Sequence, residues 1–238
     1  MTNTIDEPNV LVIVPAYNEE DSLEHTIKEL LTVVRIYDQI DYVVVNDGSS
    51  DSTKEICERN KYPLLNLPVN TGLTTAFQTG MKYAFRKGYD YAVQFDADGQ
   101  HDPRFLKSLL DTAREQQANI VIGSRFINEK KPLSMRMVGS FFISAMVRMT
   151  TGQRLTDPTS GMRLFDRLMI ERFAKENFFA PEPDTIAFAM RGGAKVVESP
   201  VAMRERFAGS SYLTATKSIM YMMRMGVSML LLQWMREA

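Results

Sequence analysis

The chain has 238 residues, 45% of them hydrophobic and 24% charged, with a formal net charge of −1. That length and composition suit one large globular α/β domain better than two independent ones. A single cysteine, Cys57, excludes an internal disulfide or a cysteine metal cluster, and the lack of any helix-turn-helix, zinc-finger or RNA-binding signature argues against a nucleic-acid partner.

Met1 to Asn9 is polar, and the first apolar run, Val10 to Val14, is far too short to cross a bilayer, so a cytoplasmic protein without a signal segment is expected. Val10-Leu-Val-Ile-Val, Tyr42-Val-Val-Val-Asn, Tyr91-Ala-Val-Gln-Phe and Asn119-Ile-Val-Ile-Gly are β-branched runs without polar alternation, as parallel strands covered on both faces require. Helical stretches separate them. In the clearest, Ser22 to Arg35, the residues Leu23, Ile27, Leu30, Leu31 and Val34 recur at helical spacing and Asp21 or Ser22 can cap the start. Cys57 falls in a helical run and reads as ordinary packing. Alternation of strand and helix over the first 120 residues predicts an open, doubly wound sheet whose ligands bind beyond the carboxyl ends of the strands.

After Gly123 the alternation fades into a loop, a Met-rich apolar stretch from Met135 to Thr150, a mixed region, and a long helical candidate from Leu213 to Met235. Charge is distributed unevenly: residues 130–172 carry +5 and residues 191–238 carry +4, which leaves about −10 elsewhere and predicts different ligands for the acidic and basic parts. The two apolar helical candidates carry basic flanks, including Arg136, Arg148 and Arg224, and so read as core helices or as helices lying in a membrane interface rather than as a spanning anchor.

Three predicted strand ends hold polar clusters: Pro15-Ala-Tyr-Asn-Glu-Glu, Asn46-Asp-Gly-Ser-Ser-Asp and Asp96-Ala-Asp-Gly-Gln. In a parallel sheet they converge on one rim. Asp96 and Asp98 are the sharpest pair, because carboxylates one residue apart at a strand end point differently and leave one for a ribose hydroxyl and one for a divalent cation such as Mg²⁺ or Mn²⁺. Ser49, Ser50 and Asp51 can cap the following helix, and Asn70, Gly72 and Gly80 suit close packing of a loop and helix on the sheet. His101 reads as an exposed loop histidine in preference to a further metal ligand.

These segments, together with Asn70-Thr-Gly, Gly123-Ser-Arg, Asp157-Pro-Thr-Ser-Gly-Met-Arg and Arg206-Phe-Ala-Gly-Ser-Ser, resemble glycosyltransferase family 2, and within it the polyprenyl-phosphate sugar transferases. The resemblance runs from Val12 to about Ser211. It implies the GT-A fold, with a nucleotide-sugar-binding half over residues 1–125, an acceptor-side half over 126–212 and a C-terminal amphipathic helix over 213–238. It further implies that Pro15, Tyr17 and Glu19 lie along the nucleoside, that Asp47 accepts a hydrogen bond from the base, that Asp96 approaches the ribose, and that Asp98 with Gln100 binds the metal. Arg125 and Arg206 become candidates for phosphate contacts, and Asp157 for a carboxylate near the acceptor, ahead of Glu182 or Asp184. Arg163 is expected to brace its loop.

The activity so implied is inverting, metal-dependent transfer of a sugar from a UDP-, GDP- or dTDP-linked donor to a polyprenyl phosphate at the inner face of the membrane. A homo-oligomer is compatible with that reading. A glycan hydroxyl as acceptor and a non-catalytic nucleotide-sugar-binding partner are the alternatives. A nucleotide-dependent dehydrogenase is excluded, because no Gly-x-Gly-x-x-Gly turn follows the first strand.

Overall fold

A computed structural model describes residues 8–129, 131, 135–204 and 215–232. The first strand, β1 (Val10–Ala16), is buried along its whole length because both faces of the sheet are covered. Leu11 and Ile13 enter one apolar cluster, while Val10, Val12 and Val14 enter another with Leu23, Ile27 and Leu30. That two-sided burial is the reason the run carries no polar alternation.

Helix α1 (Leu23–Val34) follows, then β2 (Ile40–Asp47), α2 (Thr53–Asn60), β3 (Leu64–Leu67), α3 (Leu73–Lys87), β4 (Tyr91–Gln94), α4 (Leu106–Gln116) and β5 (Ile120–Ser124). The second half adds α5 (Met135–Thr151), β6 (Arg163–Asp166), α6 (Arg167–Lys175), α7 (Pro183–Arg191), β7 (Val196–Pro200) and α8 (Ala215–Val227), which continues as a π-helical turn over Ser228–Leu232. One sheet contains all seven strands in the order β3-β2-β1-β4-β6-β5-β7, parallel throughout except for β6, which runs antiparallel to both neighbours. The strands β3, β6 and β7 are additions to the four runs read from the sequence.

Two capping expectations change. Ser22 occupies the N-cap position of α1 in a helical conformation without capping it, and its hydroxyl donates to the Glu19 carboxylate instead. Asp51 does meet the start of α2, accepting from the Thr53 amide, but Ser49 and Ser50 turn toward the loop after β1. Cys57 is buried as expected, and burial pushes its thiol up to about 11, so it stays protonated at neutral pH.

Helices α5 and α8 pack on each other with Met137, Ile143, Met146, Val147, Met225 and Met229 turned inward. Their outer faces leave Phe141, Phe142, Met149, Met220, Met223 and Leu231 exposed. Among the described residues, no helix is long and apolar enough to cross a membrane.

Candidate active site

The loops after β1 and β2 are laced together, which fixes the rim where the first two polar clusters meet. The Asn18 amide donates to Ser49 Oγ at 3.0 Å, the Ser50 amide to Asn18 Oδ1 at 2.9 Å, and the Glu19 amide to Thr53 Oγ1 at 2.8 Å. Pro15 is buried inside β1, whereas Tyr17 is exposed and Glu19 half-buried at the rim.

Asp47, the last residue of β2, is buried, and both carboxylate oxygens are engaged. Oδ1 accepts from the Thr71 amide at 2.9 Å and the Thr71 hydroxyl at 2.8 Å, and Oδ2 accepts from the Gly72 amide at 2.7 Å. Its side chain therefore holds the loop that leads into α3. Gly48 has φ +64°, and a Cβ there would lie 2.3 Å from the Val69 carbonyl carbon, so only glycine lets the two loops touch.

At the end of β4 the two acidic residues differ in exposure. The Asp96 side chain is 36% exposed, whereas Asp98 is buried and accepts from the Gln100 amide at 3.1 Å through Oδ1. His101 is a correction: it is 2% exposed, packed edge-on against Phe95, and its Nδ1 accepts from the Asp96 amide at 2.9 Å. With Nδ1 accepting, Nε2 is the ring nitrogen left to donate, and it lies 3.6 Å from Asp96 Oδ2. Gly161 completes this packing, because a Cβ there would sit 2.6 Å from Asp96 Oδ2. The histidine looked exposed in the sequence because its partners, Phe95 and Gly161, are brought to it by strand and loop rather than by local pattern.

The segment after β7 clamps the same loop from outside. The Arg204 amide donates to the Gln100 carbonyl, the Gln100 side-chain amide donates to the Arg204 carbonyl, and the Arg204 guanidinium reaches both Asp102 and Glu29. Asp102 is held below its ordinary 3.8, at about 2, first by the hydrogen bond from Arg104 and with further help from the Arg104 amide and the Arg204 charge. A folded-state value below the unfolded one means that unfolding takes up a proton on acidification. The contribution is complete above about pH 4 and lost as pH falls toward about 2. The stability gap between the parent protein and Asp102→Asn, measured by urea unfolding, should therefore close over that window. A gap that stays constant down to about pH 2 would contradict it.

In the second half of the chain, Asp157 is fully buried and forms a two-pronged pair with Arg125: Nε to Oδ2 at 2.6 Å and Nη2 to Oδ1 at 2.8 Å. Thr159 Oγ1 also donates to Oδ1, and the Arg125 amide to Oδ2. Glu198 of β7, which sequence reasoning missed, orders the preceding turn by accepting from the Thr156 and Asp157 amides at 2.7 Å. The only hint in the sequence was a carboxylate in an apolar run. Glu182 accepts from the Tyr221 hydroxyl, and Asp184 from Ser228, so both acids tie α7 to the C-terminal helix. Burial raises the Glu182 carboxyl and, more than any charge nearby, the Tyr221 hydroxyl. Arg163 does brace its loop, donating from Nη2 to the Pro158 carbonyl at 2.9 Å, and burial lowers its pKa. Arg206 lies outside the described residues.

Among the described residues, no group of three His, Cys, Asp or Glu could hold a metal. A hard cation that bridges substrate phosphates needs only one or two carboxylates and keeps its waters, so the Asp98 carboxylate and the Gln100 side-chain oxygen make a fitting all-oxygen pair.

A family model described as glycosyl transferase family 2 matches residues 11–178. The chain is 34% identical over 218 residues to an undecaprenyl-phosphate mannosyltransferase of Micrococcus luteus, covering 86% of this chain and 87% of that one. It is 29% identical over 222 residues to a polyprenol monophosphomannose synthase of Mycolicibacterium smegmatis, with 87% and 81% covered. In fold it is similar to glucosyl-3-phosphoglycerate synthase from Mycobacterium tuberculosis, crystallised with Mn²⁺, uridine diphosphate and phosphoglyceric acid. The TM-score is 0.68 at 19% identity, with 95% of this chain and 78% of that chain covered.

Proposed function

The chain belongs to glycosyl transferase family 2, with the GT-A fold, and from that premise we propose that it moves a sugar, with inversion, from a nucleotide-diphosphate donor to a polyprenyl phosphate. The observation that carries the choice of acceptor is the sealing of Asp157 by Arg125. A neutral sugar hydroxyl needs a base to take its proton, and Asp157, Glu182 and Asp184 are all engaged by neighbouring side chains. A phosphate oxygen is already an anion and needs none. The relatives named for undecaprenyl phosphate and polyprenol favour the same acceptor.

In this reading Pro15, Tyr17 and Glu19 line the nucleoside, while Asp47 keeps the loop beside the base in place and offers the base its remaining acceptor capacity. Asp96, oriented by His101, meets the ribose. Asp98 and Gln100 would hold Mg²⁺ or Mn²⁺. When bound, that cation offsets the negative charge growing on the departing nucleoside diphosphate. The acceptor oxygen forms its bond to the anomeric carbon from the face opposite the nucleotide, as the bond to the diphosphate oxygen breaks. Asp157 and Arg125 fix the wall of the acceptor side, and Arg206 is assigned to phosphate. The exposed apolar faces of α5 and α8 would rest in the acyl boundary of the inner membrane face, with Arg148 and Arg224 near headgroups.

The donor half is tested by thermal unfolding with UDP-, GDP-, dTDP- and CDP-sugars in the presence of Mn²⁺. At a hundredfold excess over Kd, one nucleotide should raise Tm by roughly 5–10 °C, and chelation should remove most of the rise. No shift with any nucleotide would sink the donor assignment.

A further inference from the structure

Two polar side chains interrupt an otherwise apolar face of the sheet beneath the acidic rim. Gln94 ends β4 and Arg163 begins β6, and the antiparallel register sets them directly opposite each other. Their strand neighbours on that face, Ala92 and Phe165, belong to the apolar cluster beneath α3 and α6. Gln94 and Arg163 are each 2% exposed.

Both side chains are only partly matched. Arg163 donates from Nη2 to the Pro158 carbonyl at 2.9 Å, but its Nε and Nη1 have no hydrogen-bond partner, and neither has Gln94 Oε1. Buried donors and acceptors left unpartnered weaken a fold, so apolar residues of similar volume would serve the core better at both positions. Residues that break a packing rule in this way mark a duty other than packing.

The atoms that are bonded show where that duty lies. Gln94 Nε2 donates to Asp96 Oδ1 at 3.3 Å. Turning the amide over would set its oxygen against the Asp96 carboxylate, so the donor stays on that side. Arg163 grips the Pro158 carbonyl at the start of the turn that ends in Gly161, and Gly161 packs so closely on Asp96 that a Cβ there would lie 2.6 Å from Oδ2. One carboxylate oxygen is thus set by β4 and the other by the turn that β6 holds.

We infer that Gln94 and Arg163 are positioning residues for Asp96, fixing its carboxylate at the angle that meets the ribose of the donor. Neither touches the nucleotide. The inference rests on the proposed contact between Asp96 and the ribose and adds the groups that aim it.

The test is calorimetric titration of the full chain, with Mn²⁺, against UDP, GDP, CDP and dTDP and against the form of each that lacks the sugar-ring hydroxyls. It is run on the parent, Gln94→Met and Arg163→Met, and the unfolding midpoint of each is measured alongside. In the parent, the nucleotide that binds should do so roughly ten- to a hundredfold more tightly than its hydroxyl-free form, because the latter forfeits a hydrogen bond to a carboxylate. In both variants that preference should shrink roughly tenfold, through weaker binding of the hydroxyl form alone. The Gln94→Met midpoint should equal or exceed the parent's, since methionine keeps the volume and removes an unpartnered oxygen. If Arg163→Met does not fold, Gln94→Met decides by itself. A parental preference retained in Gln94→Met would overturn the inference and leave the donor site as proposed. An equal loss of affinity for both forms with a lowered midpoint would also overturn it, because that is the mark of a merely structural pair. A parent that binds neither form, or both equally, would remove the ribose contact itself, and the inference with it.

Discussion

Asp98→Asn should lower cation-stimulated sugar transfer by roughly a thousandfold, since a lost cation ligand forfeits several kcal/mol of transition-state stabilisation and each 1.36 kcal/mol is tenfold in rate. The side chain is buried, so the choice of asparagine matters: it keeps an oxygen to accept from the Gln100 amide and changes the charge alone. The unfolding midpoint should move little. Initial rates measured across a Mn²⁺ titration check this. A variant within about threefold of the parent, with the same half-saturating cation concentration, would remove Asp98 from the metal site.

Asp157→Asn should have the largest effect on stability. Removing one partner of a buried ion pair strands the other, at a typical cost of 3–5 kcal/mol. Arg125 remains 23% exposed, so roughly 3 kcal/mol is expected, which corresponds to a Tm lower by about 6–12 °C. Transfer should nevertheless persist at a temperature where the variant is folded, because in the proposed mechanism the carboxylate would position the acceptor wall and abstract no proton. Replacing both residues by apolar side chains of similar volume should recover part of the lost stability. Thermal unfolding and initial rates on the same samples decide it: a fully stable variant without activity would make Asp157 a base.

The legible part of the fold is the part where local composition and tertiary burial agree. Val10–Val14 and Val43–Val45 are buried on both faces, so no polar residue interrupts them. The strands missed in the second half break that agreement. β6 begins with the fully buried Arg163 and ends with Asp166, which caps α6, and β7 includes Glu198, whose carboxylate serves a turn about forty positions away in the chain. Charged residues that are buried for a local duty hide a strand from any hydrophobic pattern.

The rim was legible because parallel strands bring their carboxyl ends together, whatever the loops contain. The partners of the rim residues were not. Asp47 meets Thr71 and Gly72 only because β3 lies beside β2, and the Asp157–Arg125 pair and the burial of His101 arise the same way. Position was readable, but the competition between structural and catalytic duty for each carboxylate needed coordinates.

The most direct measurement supplies the purified chain with labelled nucleotide-sugar, Mn²⁺, a polyprenyl phosphate in mixed micelles and a soluble oligosaccharide, and determines the product and its anomeric configuration by NMR. The account predicts an acid-labile sugar linked to one phosphate on the lipid, with configuration opposite to that of the donor. Efficient transfer to the oligosaccharide with none to the lipid, or a lipid product of retained configuration, would contradict it.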